Sequence, residues 1–402
     1  MKRLLKRVLI VTGVVAVALV AIGAAVLRLP AFGGRPDAAD IERFGGSTRF
    51  DAESGRFRNP NAEEVDAQRA ESLSPSLIGE LFERRPYGRP DGPLPEREPE
   101  LDAFVAPGGP ARAIWFGHST FLLNVDGLIV LVDPVFSPSA SPVAFAVRRF
   151  QPPVTPIESL PPIDVVLISH DHYDHLDADS IAFLAGTDAA FVAPLGIGAH
   201  LTRWGVDETR IVERDWWQSH TIGTVTFTAA PAQHFSGRGL FDAGRTLWAS
   251  WVVAGTGTRL YYSGDSGYAE HFAEIGARLG PFDVAFLENG QYDSAWRVVH
   301  LLPEETADAF EALGADRLFP VHWGMFQLAF HSWFEPVAEL AAIAETRGIE
   351  LMTPMIGDTV DLVVRATSDE PNVDARPGTN DWWPPLLPER ATWPPSRAEP
   401  RP

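Results

Sequence analysis

One nine-residue stretch constrains this chain more than any other: Ile168-Ser169-His170-Asp171-His172-Tyr173-Asp174-His175-Leu176. It places three imidazoles and two carboxylates within residues 170–175, directly after an apolar run over 164–168 that reads as a buried strand. Imidazole and carboxylate at that density suit a borderline divalent metal such as zinc, and the absence of cysteine excludes thiolate sites. On a strand end or tight loop, His170 and His172 can converge on one ion while Asp174 and His175 turn towards a second.

Further candidate ligands follow strand-like runs downstream. His234 comes after the alternating segment Thr224-Val225-Thr226-Phe227-Thr228. Asp265 lies in Ser263-Gly264-Asp265-Ser266-Gly267, where the glycines allow a sharp turn and close backbone approach. His322 ends the run Arg317-Leu318-Phe319-Pro320-Val321. An isolated His or Asp at a strand end is usually structural, but here the pattern recurs beyond a strong nucleating motif.

In that series, His-x-His-x-Asp-His, then His, Asp and His, the chain resembles the metallo-β-lactamase fold superfamily of binuclear metallohydrolases. The segments Trp115-Phe116-Gly117-His118-Ser119-Thr120, Val132-Asp133-Pro134-Val135-Phe136-Ser137, Gly264-Asp265-Ser266-Gly267-Tyr268 and His322-Trp323-Gly324 narrow the likeness. Together they look like the bacterial relatives of N-acylphosphatidylethanolamine-hydrolysing phospholipase D, over roughly residues 85–350. The resemblance implies one metal held by His170, His172 and His234, and a second by Asp174, His175 and His322, with Asp265 bridging both. It implies two zinc ions, although manganese or iron also fits the carboxylate-richer second site. Attack on phosphorus by a hydroxide shared between the ions follows from the family, with Asp265 orienting it and Asp174 accepting its proton. His300, in Val299-His300-Leu301-Leu302-Pro303, matches a family histidine near the active site and is a candidate helper for the leaving group; a loop histidine preceding a helix is the equal alternative.

The apolar fraction of 45% over 402 residues supports a full core. The formal charge of −20 argues against nucleic acid as a partner, because polyanion binding draws on clustered Lys and Arg. Lys2, Arg3, Lys6 and Arg7 precede an uncharged run over residues 8–27, the length needed to cross a bilayer core as a helix. The basic flank predicts a cytoplasmic N-terminus and an exported body. A cleaved signal peptide is the competing reading, but the run is long for one. The expected organisation is a membrane anchor over 1–30, a linker with a short helix near 77–82 over 31–84, a hydrolase domain over 85–365, and a Pro-rich irregular tail over 366–402.

Within the hydrolase domain, strands are expected over 112–116, 121–125, 128–132, 190–193, 210–213, 224–228, 247–254 and 259–263, with a tight turn at Asp126-Gly127. Helices are expected from Asp177 or Asp179 to Leu184, over 197–204, and from Pro303 to Leu313 with acidic residues at the positive end. Two β-rich halves with outer helices make an α+β, four-layer αβ/βα sandwich of the metallo-β-lactamase type, with the ligands on loops along one edge. Trp216, Trp217, Trp323, Phe326, Phe330 and Trp333, with Arg148 and Arg149, read as an apolar cleft for acyl chains with cations for a phosphate.

The expected activity is a membrane-anchored phosphodiesterase of phospholipase D type, acting on N-acylphosphatidylethanolamine or a related phospholipid. Lactone opening, as in the similar L-ascorbate-6-phosphate lactonases, keeps the fold and changes the bond. A catalytically silent, membrane-tethered binding protein is the alternative of another class, and intact ligand positions weigh against it. The anchor is tested by N-terminal sequencing of the membrane fraction: a start before Leu27 is expected, and a start well beyond it would mean cleavage.

Overall fold

Strands that are apolar on both faces set the layering. The computed structural model describes residues 2–72, 85–239, 241–363 and 382–389. A small antiparallel hairpin of β1 (Phe50–Asp51) and β2 (Arg56–Phe57) precedes the main body. The first large sheet contains β3 (Arg112–Trp115), β4 (Phe121–Val125), β5 (Leu128–Val132), β6 (Val165–Leu167), β7 (Ala190–Pro194) and β8 (Ile211–Arg214). The second contains β9 (Ser219–Ile222), β10 (Val225–Ala230), β11 (Ser250–Ala254), β12 (Arg259–Tyr262), β13 (Phe282–Glu288) and β14 (Ala315–Val321). β15 (Thr359–Asp361) returns to the first sheet, giving the orders β15-β3-β4-β5-β6-β7-β8 and β14-β13-β12-β11-β10-β9.

On β5, Val130 and Val132 enter the core between the sheets, while Ile129 and Leu131 face an outer core with the helices Ala178–Ala185 and Gly198–Arg203. On β13, Val284 and Phe286 point inward, and Ala285 and Leu287 pack on the helices His271–Leu279, Pro303–Leu313 and Glu335–Arg347. Both faces of each sheet are thus buried, which gives helix, sheet, sheet, helix. Phe121 and Phe286 stack between the sheets, with centroids 4.7 Å apart and planes at 4°.

Most expected elements fall within a residue or two of their observed bounds. The strand expected over 247–254 begins at Ser250, because Leu247 and Trp248 turn away to pack with Phe44 and Phe57. That cluster also shows the stretch over 31–72 to be a folded arm, containing the hairpin and the helices Ala38–Phe44 and Ala62–Ser72. The short helix expected near 77–82 and most of the tail lie outside the described residues. Within the tail, Trp382 and Trp383 are buried, and their indoles donate to Thr353 O and Thr353 Oγ1, both at 3.0 Å.

Lys2–Val26 forms one helix of 25 residues, on which Val11, Val14 and Val17 are exposed; some of its side chains are not among the described ones. Among the described residues no helix is long and apolar enough to cross a membrane, so the structure does not establish the expected anchor.

Replacing Phe121 with Ala should cost about 3–5 kcal/mol by opening a cavity between the sheets. Phe183→Ala, at a residue 40% exposed, should cost under about 0.5 kcal/mol. Urea unfolding monitored by circular dichroism separates them, and equal midpoints would contradict this packing.

Candidate metal centre

Five of the loops at one edge of the sandwich begin where a strand ends. β6 delivers residues 170–175, β10 delivers His234, β12 delivers Asp265, β14 delivers His322, and β13 ends in Glu288. Ligand groups gather there because the parallel strands of both halves run towards the same edge. Gly264 makes the turn before Asp265 at φ +56, where an added Cβ would meet Ser169 Cβ at 2.8 Å. Close approach, anticipated from the glycines, therefore brings the two halves together at the site.

All seven expected ligand side chains converge, in two adjoining groups. His170, His172, His234 and Asp265 form one; Asp174, His175 and His322 form the other with His118. In the first, His172 Nδ1 lies 3.0 Å from His170 Nε2 and 3.1 Å from His234 Nε2. In the second, His322 Nε2 lies 3.2 Å from Asp174 Oδ2. Ligands about 2.0–2.1 Å from a tetrahedral ion sit roughly 3.3 Å from one another, so these spacings fit a divalent cation in each group. Asp265 stands between them: Oδ2 is 3.7 Å from both His170 and His234 Nε2 and 3.3 Å from His322 Nε2, and Oδ1 is 3.1 Å from His175 Nε2.

Two buried atoms aimed into this space, His175 Nε2 and Asp265 Oδ1, make no hydrogen bond. At that depth the two meet only as an ion pair 3.1 Å apart, and a shared cation would satisfy both. The opposite nitrogens of the rings are held by the protein, which aims the inner lone pairs. His170 Nδ1 meets Ser169 Oγ at 2.9 Å, and His234 Nδ1 donates to Val299 O at 2.9 Å. His175 Nδ1 meets Asp133 Oδ2 at 2.7 Å, and His322 Nδ1 faces Gly290 O at 3.2 Å and Glu288 Oε2 at 3.3 Å.

Electrostatics favours the metal-binding forms of five groups. Burial, reinforced by neighbouring imidazoles, lowers the pKa of His170 and His234, and burial also lowers His172, which keeps these rings neutral. Burial alone would raise Asp174 and Asp265, but the facing histidines, His175 foremost, hold both well below the ordinary carboxylate range. His175 and His322 behave oppositely. Burial lowers them, yet Asp265 and Asp174 overcome it, raising His175 well above its usual value and His322 to about 10.

His300 also lies at the site. Its Nδ1 meets Glu288 Oε2 at 2.8 Å, and its ring stacks on His322 with centroids 5.4 Å apart. Three buried residues were not singled out from the sequence as site residues. His118 Nε2 meets Asp174 Oδ2 at 2.9 Å, Asp133 carries His175, and Glu288 carries His300. His118 and Asp133 sit in segments that carried the family likeness, and a carboxylate closing the apolar run over 284–287 was the available signal for Glu288.

The site opens into a cavity of about 430 Å³ whose apolar wall comes from Ala140, Tyr173, Phe235, Trp296, Val299 and Leu328. This corrects the expected cleft. Trp323, Phe326 and Trp333 are buried in the core between the sheets, and Trp216 and Trp217 line a different cavity. Arg149 is no phosphate cation either: it is buried, donates from Nη1 to Val135 O at 2.7 Å, and lies 5.1 Å from the Phe326 ring centroid.

Because His322 is protonated at neutral pH in the metal-free protein, a cation must displace that proton to use its Nε2. Zinc affinity should therefore strengthen as pH rises from about 6.5 towards 9, with proton release on binding. Calorimetry in buffers of different ionisation enthalpy checks this, and a pH-independent affinity would contradict it.

The sequence profile of the family described as Beta-lactamase superfamily domain matches residues 129–323. An uncharacterised protein of Mycobacterium tuberculosis is 44% identical over 290 residues, spanning 71% of this chain and 77% of that one. The N-acyl-phosphatidylethanolamine-hydrolyzing phospholipase D 1 of Caenorhabditis elegans is 32% identical over 271 residues, spanning 64% and 76%. Among solved structures, the isothiocyanate hydrolase from Delia radicum gut bacteria shares the fold at a TM-score of 0.50 and 18% identity, covering 62% of this chain and 98% of that one. With its donor clusters at the edge of a four-layer sandwich, this chain belongs to the metallo-β-lactamase superfamily, as a metal-dependent hydrolase related to the N-acyl-phosphatidylethanolamine-hydrolysing phospholipases D.

Proposed function

We propose that the enzyme is a binuclear zinc phosphodiesterase of phospholipase D type, cleaving N-acylphosphatidylethanolamine or a related phospholipid into phosphatidic acid and an N-acylethanolamine-like fragment. One observation carries this reading: two adjoining donor groups with Asp265 between them lie at the polar end of an apolar-walled cavity. Such a site suits a substrate with one charged phosphodiester and long acyl chains. Relatives named as phospholipases of this type in Caenorhabditis elegans and Saccharomyces cerevisiae, 32% and 31% identical, support the substrate class.

When bound, two divalent ions would lower the pKa of a water and neutralise charge on the non-bridging phosphate oxygens. The side chains account for the rest. Asp265, between the two groups, orients the attacking water, and Asp174 takes its proton. Glu288 accepts from His300 Nδ1, which leaves Nε2 to meet substrate; as the imidazolium, His300 delivers its Nε2 proton to the departing alkoxide and regains one from solvent. Tyr173, Phe235, Trp296 and Leu328 hold acyl chains and exclude water from the reacting centre. In the same reading the helix Lys2–Val26 is a membrane anchor that keeps the catalytic domain at the lipid, on the non-cytoplasmic side.

Metal content and lipid turnover should be measured on one detergent-solubilised sample by mass spectrometry. About two zinc per chain with release of phosphatidic acid, abolished by His172→Ala, is expected. His300→Ala should retain zinc and lose roughly 10²–10⁴-fold in kcat. Two zinc with lactone opening and no lipid product would replace the phosphodiesterase with a lactonase.

A further inference from the structure

The described part of the arm that follows the N-terminal helix does more than cover the core. Residues 30–34 cross the outside of the loop that carries the ligands, and each of the five makes a contact that seats them. Trp204 Nε1 donates to Pro30 O at 2.8 Å. Arg238 Nε donates to Ala31 O at 2.8 Å. Phe32 meets the ring of Tyr173 edge-on, with centroids 6.4 Å apart. Gly33 and Gly34 lie so close to the helix Gly198–Arg203 that an added Cβ would stand 2.1 Å from His200 Nδ1 and 1.9 Å from Ala199 O respectively.

Arg238 connects this seat to the ligands. Its Nη1 donates to Asp171 O at 2.6 Å and Leu176 O at 2.7 Å, the two ends of the loop that holds His172, Asp174 and His175. Its guanidinium lies over Tyr173 and Trp204 at 4.1 and 5.1 Å, and the side chain is buried. A planar fork spreads its donors in fixed directions and so reaches carbonyls on two segments at once, whereas a lysine offers its three donors from one compact point. Asp171, between His170 and His172, is held from the other side by Gly237 N at 2.7 Å and Thr246 Oγ1 at 3.0 Å. The same arm reaches the ligand loops once more, where Asn59 Nδ2 donates to His234 O at 2.6 Å.

We propose that residues 30–34 are a strap belonging to the metal centre, and that Arg238 is the positioning residue through which their seating sets the geometry of His170, His172, Asp174 and His175. This inference rests on the metal-centre reading above.

Full-length Gly34→Val, Arg238→Lys, their double variant and Leu340→Ala test the strap by zinc competition with a chromogenic chelator. Hydrogen exchange over residues 29–37 reports the seat. Gly34→Val should speed that exchange and weaken zinc binding about tenfold or more, the usual cost of losing a group that orients ligands. Arg238→Lys should weaken it at least as much, and the double variant little further, since the strap acts on the ligands through Arg238. Leu340→Ala, in the far core, should lower Tm and leave zinc affinity unchanged. Faster exchange in Gly34→Val with zinc affinity within about threefold of the parent overturns the proposal. Unchanged exchange in Gly34→Val, or losses that multiply in the double variant, also overturn it. A parent protein that binds no zinc would instead remove the metal-centre reading itself.

Discussion

The carboxylate of Asp133 is the interaction on which the rest of the site depends. Fully buried just after β5, it accepts from Ser169 N at 2.8 Å, Ser169 Oγ at 2.5 Å, His175 Nδ1 at 2.7 Å and Tyr262 Oη at 2.5 Å. Ser169 and His175 belong to the loop after β6 in the first sheet, and Tyr262 ends β12 in the second. One charge therefore ties both halves of the sandwich and a metal-ligand ring to one point. Burial and the adjacent Asp133 charge raise the Tyr262 phenol well above its ordinary pKa, so its O–H remains a donor. A buried carboxylate with fewer donors would be too costly to keep, which makes the two sheets and the loop interdependent.

The same logic extends outward in shells. Ser169, Asp133, Val299 O and Gly290 O hold the outer nitrogens of four ligand histidines, and Glu288 holds His300. Beyond them, Arg238 ties the ligand loop to Ala31, in the segment that precedes both sheets. Ring orientation in metal sites depends on such outer partners as much as on the ligands. The metal centre of this enzyme thus draws on both sheets and on the arm that precedes them.

The ligands were legible because the chemistry is local: His170, His172, Asp174 and His175 lie on one loop after one apolar strand. His234, Asp265 and His322 each announced themselves at a strand end. The cleft was misread because aromatic content near a motif says nothing about direction; Trp323 and Phe326 point into the core between the sheets. β13 escaped notice because a fully buried parallel strand lacks the alternation that marks a half-exposed one. The arm escaped for a different reason. Phe44, Phe50 and Phe57 are spaced to no helical or strand period, and they meet one another only in the folded chain.

The sequence alone marked the donor side chains, because ligand type is written residue by residue, and its family likeness pointed to the layered α+β fold. Tertiary structure decided what surrounds those donors. It alone placed Asp133 between the sheets, turned His118 onto Asp174, set Glu288 behind His300, and laid residues 30–34 over Arg238. These are contacts between residues far apart in the chain, formed where buried polar groups must find partners, and no local pattern encodes which partner that will be.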